Sequence, residues 1–161
     1  MSHVLILGLG NPILTDDGVG IHVVRAVASR LTPHASRLDV TFAEACVGGL
    51  RLLDTLAGHE QAILVDAIQT RDGTPGEIHR LHPDDLRASL HSGSTHDLSL
   101  PGALALGRGM GMKLPDDEAI VIIAIEVEDG LTFGEALTPA VAAAIPRGVE
   151  AVLAEVGTGE P

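Results

Sequence analysis

Two adjacent carboxylates, Asp16 and Asp17, stand between an apolar run and a helical pattern, and a third, Asp66, closes another apolar run. An imidazole, His96, lies in a polar stretch just ahead of a further helical pattern. Asp17, Asp66 and His96 together make a mixed oxygen and nitrogen donor set suited to a borderline divalent metal, with positions left open for water or a substrate atom. Donor softness does not separate nickel from zinc or cobalt. The set means something only if the fold gathers it. Taken singly, Asp-Asp-Gly is an ordinary polar turn and helix start, and a lone histidine in a loop is a solvated one.

The elements around Asp16 and Asp17 favour convergence. Val4 to Leu7 is an unbroken apolar run ending at Gly8-Leu9-Gly10, which reads as a strand buried on both faces. From Val19 the apolar positions fall at Val19, Val23, Val24, Val27 and Leu31, a helical spacing, with His22, Arg25 and Ser29 opposite. The two aspartates therefore sit where a strand hands over to a helix, and in an open α/β sheet that is where ligands bind. A dinucleotide site does not fit. Its third glycine would fall on Ile13, and the two carboxylates would repel a phosphate.

Further along, Leu38 to Phe42 reads as a second strand, Leu50, Leu53, Leu56 and Ala57 as one face of a short helix ended by Gly58, and Ala62 to Val65 as a third strand ending at Asp66. Arg71 to Gly76 is rich in turn residues, Glu77 to Leu81 alternates like an edge strand, and His82 to Asp85 starts a helical turn. His91 to Thr95 and Arg71 to Gly76 are expected to be mobile and to order on docking a partner. A helix follows from Ser99 with Pro101 in its first turn, then a buried strand over Ala119 to Ile125. Pro139 opens a closing helix with Val141, Ile145, Val149, Val152 and Val156 inward, which Pro146 should kink or restart. Strands alternating with helices, the strands apolar throughout, predict one domain over residues 1–161. The fold is a three-layer, doubly wound α/β/α arrangement on a mostly parallel twisted sheet of about five strands.

Apolar residues make up 45% of the 161 and aromatic ones 1%, so the core is expected to be Val, Leu, Ile and Ala. A net charge of -12 argues against nucleic acid as partner, because neutralising phosphates takes clustered Lys and Arg. The single Cys46 allows neither an internal disulfide nor a thiolate zinc site, and with no signal peptide the chain reads as cytoplasmic. No apolar run approaches the roughly 20 residues that cross a bilayer, so direct membrane binding is not expected. His34, His59, His79 and His82 fall among surface-like residues.

Several stretches resemble the endopeptidases that mature nickel-iron hydrogenases by cutting a C-terminal extension from the large subunit. Gly8-Leu9-Gly10-Asn11 with Thr15-Asp16-Asp17-Gly18 is similar to the family's first motif, Leu64-Val65-Asp66-Ala67 to its second, and Ser94-Thr95-His96 with Leu104-Ala105-Leu106 to its third. Ala124-Ile125-Glu126 and Leu137 to Val141 match weaker tail motifs, so the resemblance covers nearly the whole chain. It implies that Asp17, Asp66 and His96 are the catalytic and metal-contacting positions. The metal implied is nickel carried by the hydrogenase precursor, which makes the protein, expected as a monomer, both sensor and scissors. Where an Asp-Gly-Gly-Thr pattern is commoner in the family, this chain has Glu44-Ala45-Cys46, with Glu44 a candidate for the acid's role.

Two other readings compete. Gly8 to Pro12 also resembles the opening of peptidyl-tRNA hydrolases, but those continue with Thr-Arg-His-Asn where Thr15-Asp16-Asp17-Gly18 stands here, and so acidic a chain suits tRNA poorly. The second is a metal-sensing chaperone that binds the hydrogenase precursor without cutting it. Gly-x-Ser-x-Gly and His-Glu-x-x-His are both absent, which leaves ordinary serine and zinc proteases without their motifs.

Overall fold

The first apolar run forms strand β1 (Val4–Leu9), whose four central residues are buried, as expected for a strand covered on both faces. A computed structural model of the chain describes residues 3–31, 39–46, 48, 50–88 and 99–157. After β1 come a 3₁₀ turn (Thr15–Gly18), α1 (Val19–Leu31), β2 (Val40–Ala45), α2 (Leu50–Leu56) and β3 (Gln61–Ile68). The chain continues through β4 (Ile78–Leu81), α3 (Pro83–Ala88), α4 (Leu100–Gly109), β5 (Ile120–Glu126) and α5 (Pro139–Gly157).

The five strands form one sheet in the order β2-β1-β3-β5-β4. All neighbours are parallel except β4, which runs antiparallel to β5 at the edge. Helices α1 and α5 cover one face, over Ile6, Ile63, Val65, Ile123 and Ile125. The other face carries Leu5, Leu7, Leu64 and Ile122 and is covered by α2 and α4. The doubly wound, mostly parallel sheet is therefore the one expected. Every buried apolar residue described is Val, Leu, Ile or Ala.

Several element limits differ from expectation for local reasons. β2 runs from Val40 to Ala45 in register with Val4 to Leu9, beyond the expected end at Phe42, while the expected start at Leu38 lies outside the described residues. Asp66 does not end β3. Pairing with β5 carries the strand on to Ile68, which places Asp66 inside the ladder opposite Ala124. In α2 the buried positions are Leu52, Leu53 and Leu56, while Leu50 opens the helix exposed. The closing helix runs through Pro146 as one element, with Val141, Ala144, Gly148, Val149 and Val152 buried. Arg71 to Gly76, expected to be mobile, is instead a hydrogen-bonded loop. The Glu126 carboxylate accepts from the amide and hydroxyl of Thr70, and the Gly76 amide donates to the Glu126 carbonyl at 2.8 Å. Gly73 lies so close to that carboxylate that a Cβ there would stand 2.1 Å from it.

Candidate active site

In strand order β2-β1-β3-β5-β4 the connection from β1 leads to one side and β3 begins the other, so the sheet reverses direction between β1 and β3. Crevices at the carboxyl ends of strands at such a switch point are where open α/β sheets bind ligands. Asp17 follows β1 and Asp66 lies near the end of β3, one on each side of that reversal.

Close backbone packing draws the two carboxylates together. Gly20, at the start of α1, lies against β3 so tightly that a Cβ would stand 2.1 Å from the Val65 carbonyl oxygen. Gly10 takes φ 131°, a region that favours glycine, and a Cβ there would stand 1.9 Å from the Asp17 carbonyl oxygen. The Asn11 amide, just past this turn, donates to Asp17 Oδ2 at 2.8 Å. Asp66 Oδ1 accepts from the Ala67 amide, also at 2.8 Å. Among the described residues the second oxygen of each carboxylate makes no hydrogen bond.

Burial pushes the Asp66 carboxyl up from 3.8 to about 7; the Ala67 amide opposes this, and the Asp17 charge adds to it. Asp66 is thus held against ionisation by burial first and by the neighbouring Asp17 charge second, the kind of environment that shifts carboxyl groups at functional sites. His96, with the whole of His91 to Thr95, lies outside the described residues. Among the described residues no group of three or more His, Cys, Asp or Glu side chains gathers to hold a metal. Among the described residues, Asp17 and Asp66 are the two expected donors that the fold brings to this switch point.

Asp16 does more than its local sequence suggests. It sits in the 3₁₀ turn, as its Asp-Asp-Gly setting suggests, but it is also a fully buried anchor, 0% exposed. Its carboxylate accepts from the amides of Glu128, Asp129 and Thr138 and from the Thr138 hydroxyl, at 2.7 to 3.1 Å. That fastens the loop after β5 to the turn bearing Asp17. Thr15 takes φ 49°, a conformation a β-branched residue rarely adopts. Its amide donates to the Gly134 carbonyl at 2.8 Å and its hydroxyl to the Thr132 carbonyl, so the same loop holds that conformation in place. Within the loop, hydrogen bonds from Thr132 and Leu131 hold the Asp129 carboxyl below its ordinary range.

Glu44 has a different partner. Its carboxylate takes a two-pronged contact from Arg25 of α1, at 2.6 and 2.9 Å. Cys46 is exposed. His79, expected among surface residues, is only 30% exposed and has its Nε2 buried 3.6 Å from Glu126 Oε1. Sequence reasoning missed the anchoring by Asp16 and Glu126, since both depend on loops distant in the chain. Their one visible signal was an acid within or beside a resembled motif.

With this geometry in view, comparison with known proteins is decisive about kinship. Residues 21–155 match the family described as HycI, hydrogenase maturation protease. The chain is 31% identical over 154 residues to the hydrogenase 2 maturation protease of Escherichia coli, spanning 94% of this chain and 88% of that one. It is 30% identical to the hydrogenase expression/formation protein HupD of Rhodobacter capsulatus, over 96% of this chain and 71% of that protein. The structure of the hydrogenase maturating endopeptidase HybD from E. coli superposes with a TM-score of 0.77 at 27% identity, covering 98% of this chain and 94% of that one. The chain belongs to the hydrogenase maturation protease family and is an endopeptidase. That settles the class against a peptidyl-tRNA hydrolase and against a chaperone that does not cut. No helix among the described residues is long and apolar enough to cross a membrane.

Proposed function

We propose that this endopeptidase removes the C-terminal extension from the nickel-loaded precursor of a nickel-iron hydrogenase large subunit, in the cytoplasm, and that Asp17, Asp66 and His96 contact the nickel of that substrate. The observation that carries the reading is the pairing of Asp17 with Asp66 across the β1/β3 reversal. A carboxyl that burial holds against ionisation, with the charge of a second carboxylate adding to that, creates a place that a dication relieves.

Each aspartate has one oxygen held by a backbone amide, which limits the side chain's freedom and leaves its second oxygen available as a donor. In this scheme Asp17 and Asp66 act as oxygen donors and His96 as a nitrogen donor. Nickel arrives with the precursor, and bound there it orients the scissile peptide and polarises its carbonyl or activates a water. The chain's own contribution is position. Because the substrate supplies the metal, an unloaded precursor would leave the carboxylates without a counter-charge, and cutting would wait for nickel insertion. Mass spectrometry of the hydrogenase large subunit from cells with and without this protein tests the assignment. An unprocessed C-terminus only in its absence supports it, and normal processing in its absence contradicts it.

A further inference from the structure

The loop fastened by Asp16 displays two of the most exposed large apolar side chains described, Leu131 at 86% and Phe133 at 80%. It lies against the segment leading to Asp17: the Gly134 amide donates to the Ile13 carbonyl at 2.9 Å, and Ile13 itself is 48% exposed. Ile13, Leu131 and Phe133 therefore stand on adjoining strips of chain beside the crevice. The loop is not loose. Asp129 Oδ1 accepts from the amides of Leu131 and Thr132 at 3.0 and 2.9 Å, and Asp16 accepts from those of Glu128 and Asp129.

Phe133 is one of only two phenylalanines in the chain, and an isolated solvent-facing loop gains nothing from holding it out in a fixed conformation. Exposed apolar side chains on a rigid frame next to a reaction site are the usual form of a docking anchor. We infer that Ile13, Leu131 and Phe133 form the docking surface for the precursor, gripping an apolar patch edged with Lys or Arg beside the bond to be cut. The inference rests on the proposed function. The occupant follows from position and charge. The patch is continuous with the crevice, it is flanked by the exposed acids Glu128 and Glu135, and the whole chain carries -12. A second copy seated here would set those acids against their own counterparts, whereas a basic-edged partner is drawn in.

Binding of nickel-loaded precursor to the immobilised protein, measured beside cleavage kinetics, tests this. The variant is L131S/F133S, and L106S/M110S, exposed on and just after α4, is the control. The first pair is expected to raise both Kd and KM at least about tenfold, with kcat within about twofold and an unchanged unfolding curve. The control pair should change neither, and rising salt should weaken binding of the unaltered chain. Unchanged Kd and KM in L131S/F133S, an equal loss in the control, or binding indifferent to salt would overturn the assignment. So would a dimer of the free protein dissolved by L131S/F133S with precursor binding intact, which would make the occupant a second copy. An unaltered chain that neither binds nor cuts the precursor removes the proposed function along with the surface. One that cuts while L131S/F133S behaves like it removes the surface alone.

Discussion

Replacing Asp66 by asparagine keeps the side chain's shape and the oxygen that accepts the Ala67 amide, and removes only the charge. Burial, with the Asp17 charge adding to it, holds the folded carboxyl at about 7 instead of 3.8. Between about pH 4 and pH 7 the unfolded chain then binds fewer protons at this position than the folded one, so the carboxyl lowers stability progressively across that window and by a constant amount above it. Each pH unit corresponds to about 1.4 kcal/mol, so an interval of about three units sets an upper figure of about 4 kcal/mol. Solvent reaching the crevice brings the expectation to about 2–4 kcal/mol. Urea unfolding of the unaltered chain and Asp66→Asn, at pH 4 and at pH 8, reads this directly, because every other titrating group cancels in the comparison. The two should be nearly equal at pH 4, with the asparagine form more stable by that amount at pH 8 and inactive at both. Equal stability at pH 8, or a less stable asparagine form, would refute an Asp66 held against its own ionisation. The predicted gain in stability with loss of cleavage is the trade-off expected where a charge is kept for function.

Asp16→Ala leaves the amides of Glu128, Asp129 and Thr138 without their buried acceptor, so a loss of about 3 kcal/mol or more is expected, with faster hydrogen exchange across residues 128–138. A loss below about 1 kcal/mol would show that the carboxylate is not the anchor. Gly20→Ala drives a methyl group into the Val65 carbonyl, which forces α1 away from β3 and separates Asp17 from Asp66, so the melting temperature and cleavage should fall together. An unchanged melting curve would contradict that packing. Cys46→Ser should process precursor at the unaltered rate, since the exposed thiol is no part of the carboxylate site. Lost cleavage with an intact fold would point to a covalent thiol mechanism instead.

Strands such as Val4 to Leu7 and Ala119 to Ile125 were legible because burial on both faces leaves a continuous apolar run, and α1 because its apolar positions repeat at helical spacing. The place of Asp17 just after β1 followed from the same logic, whereas Asp66, expected at the end of its strand, lies inside β3 because pairing with β5 carries that strand on to Ile68. Asp16 was not legible. Beside Asp17 it has the same chemistry and charge, and only the loop closing from residues 128 to 138 makes one a fully buried acceptor while the other stays partly exposed with the Asn11 amide on one oxygen. Arg71 to Gly76 misled for a related reason. Turn residues usually mean a solvated loop, but here Thr70 and Gly73 wrap a buried glutamate more than fifty residues ahead. Glu44 showed its charge in the sequence but not its partner, because Arg25 reaches it only once α1 lies beside β2. In each case the missing information was a contact between distant segments, which local patterning does not encode.

The central claim is that substrate nickel, gripped by Asp17, Asp66 and His96, licenses the cut. Mass spectrometry of the C-terminal peptide released from purified precursor, with and without nickel, by the unaltered chain, Asp17→Ala and His96→Ala, tests it most directly. Release only from nickel-loaded precursor, only by the unaltered chain, and with both variants still folded, is the predicted result. Release from nickel-free precursor, or a normal rate from His96→Ala, would contradict it.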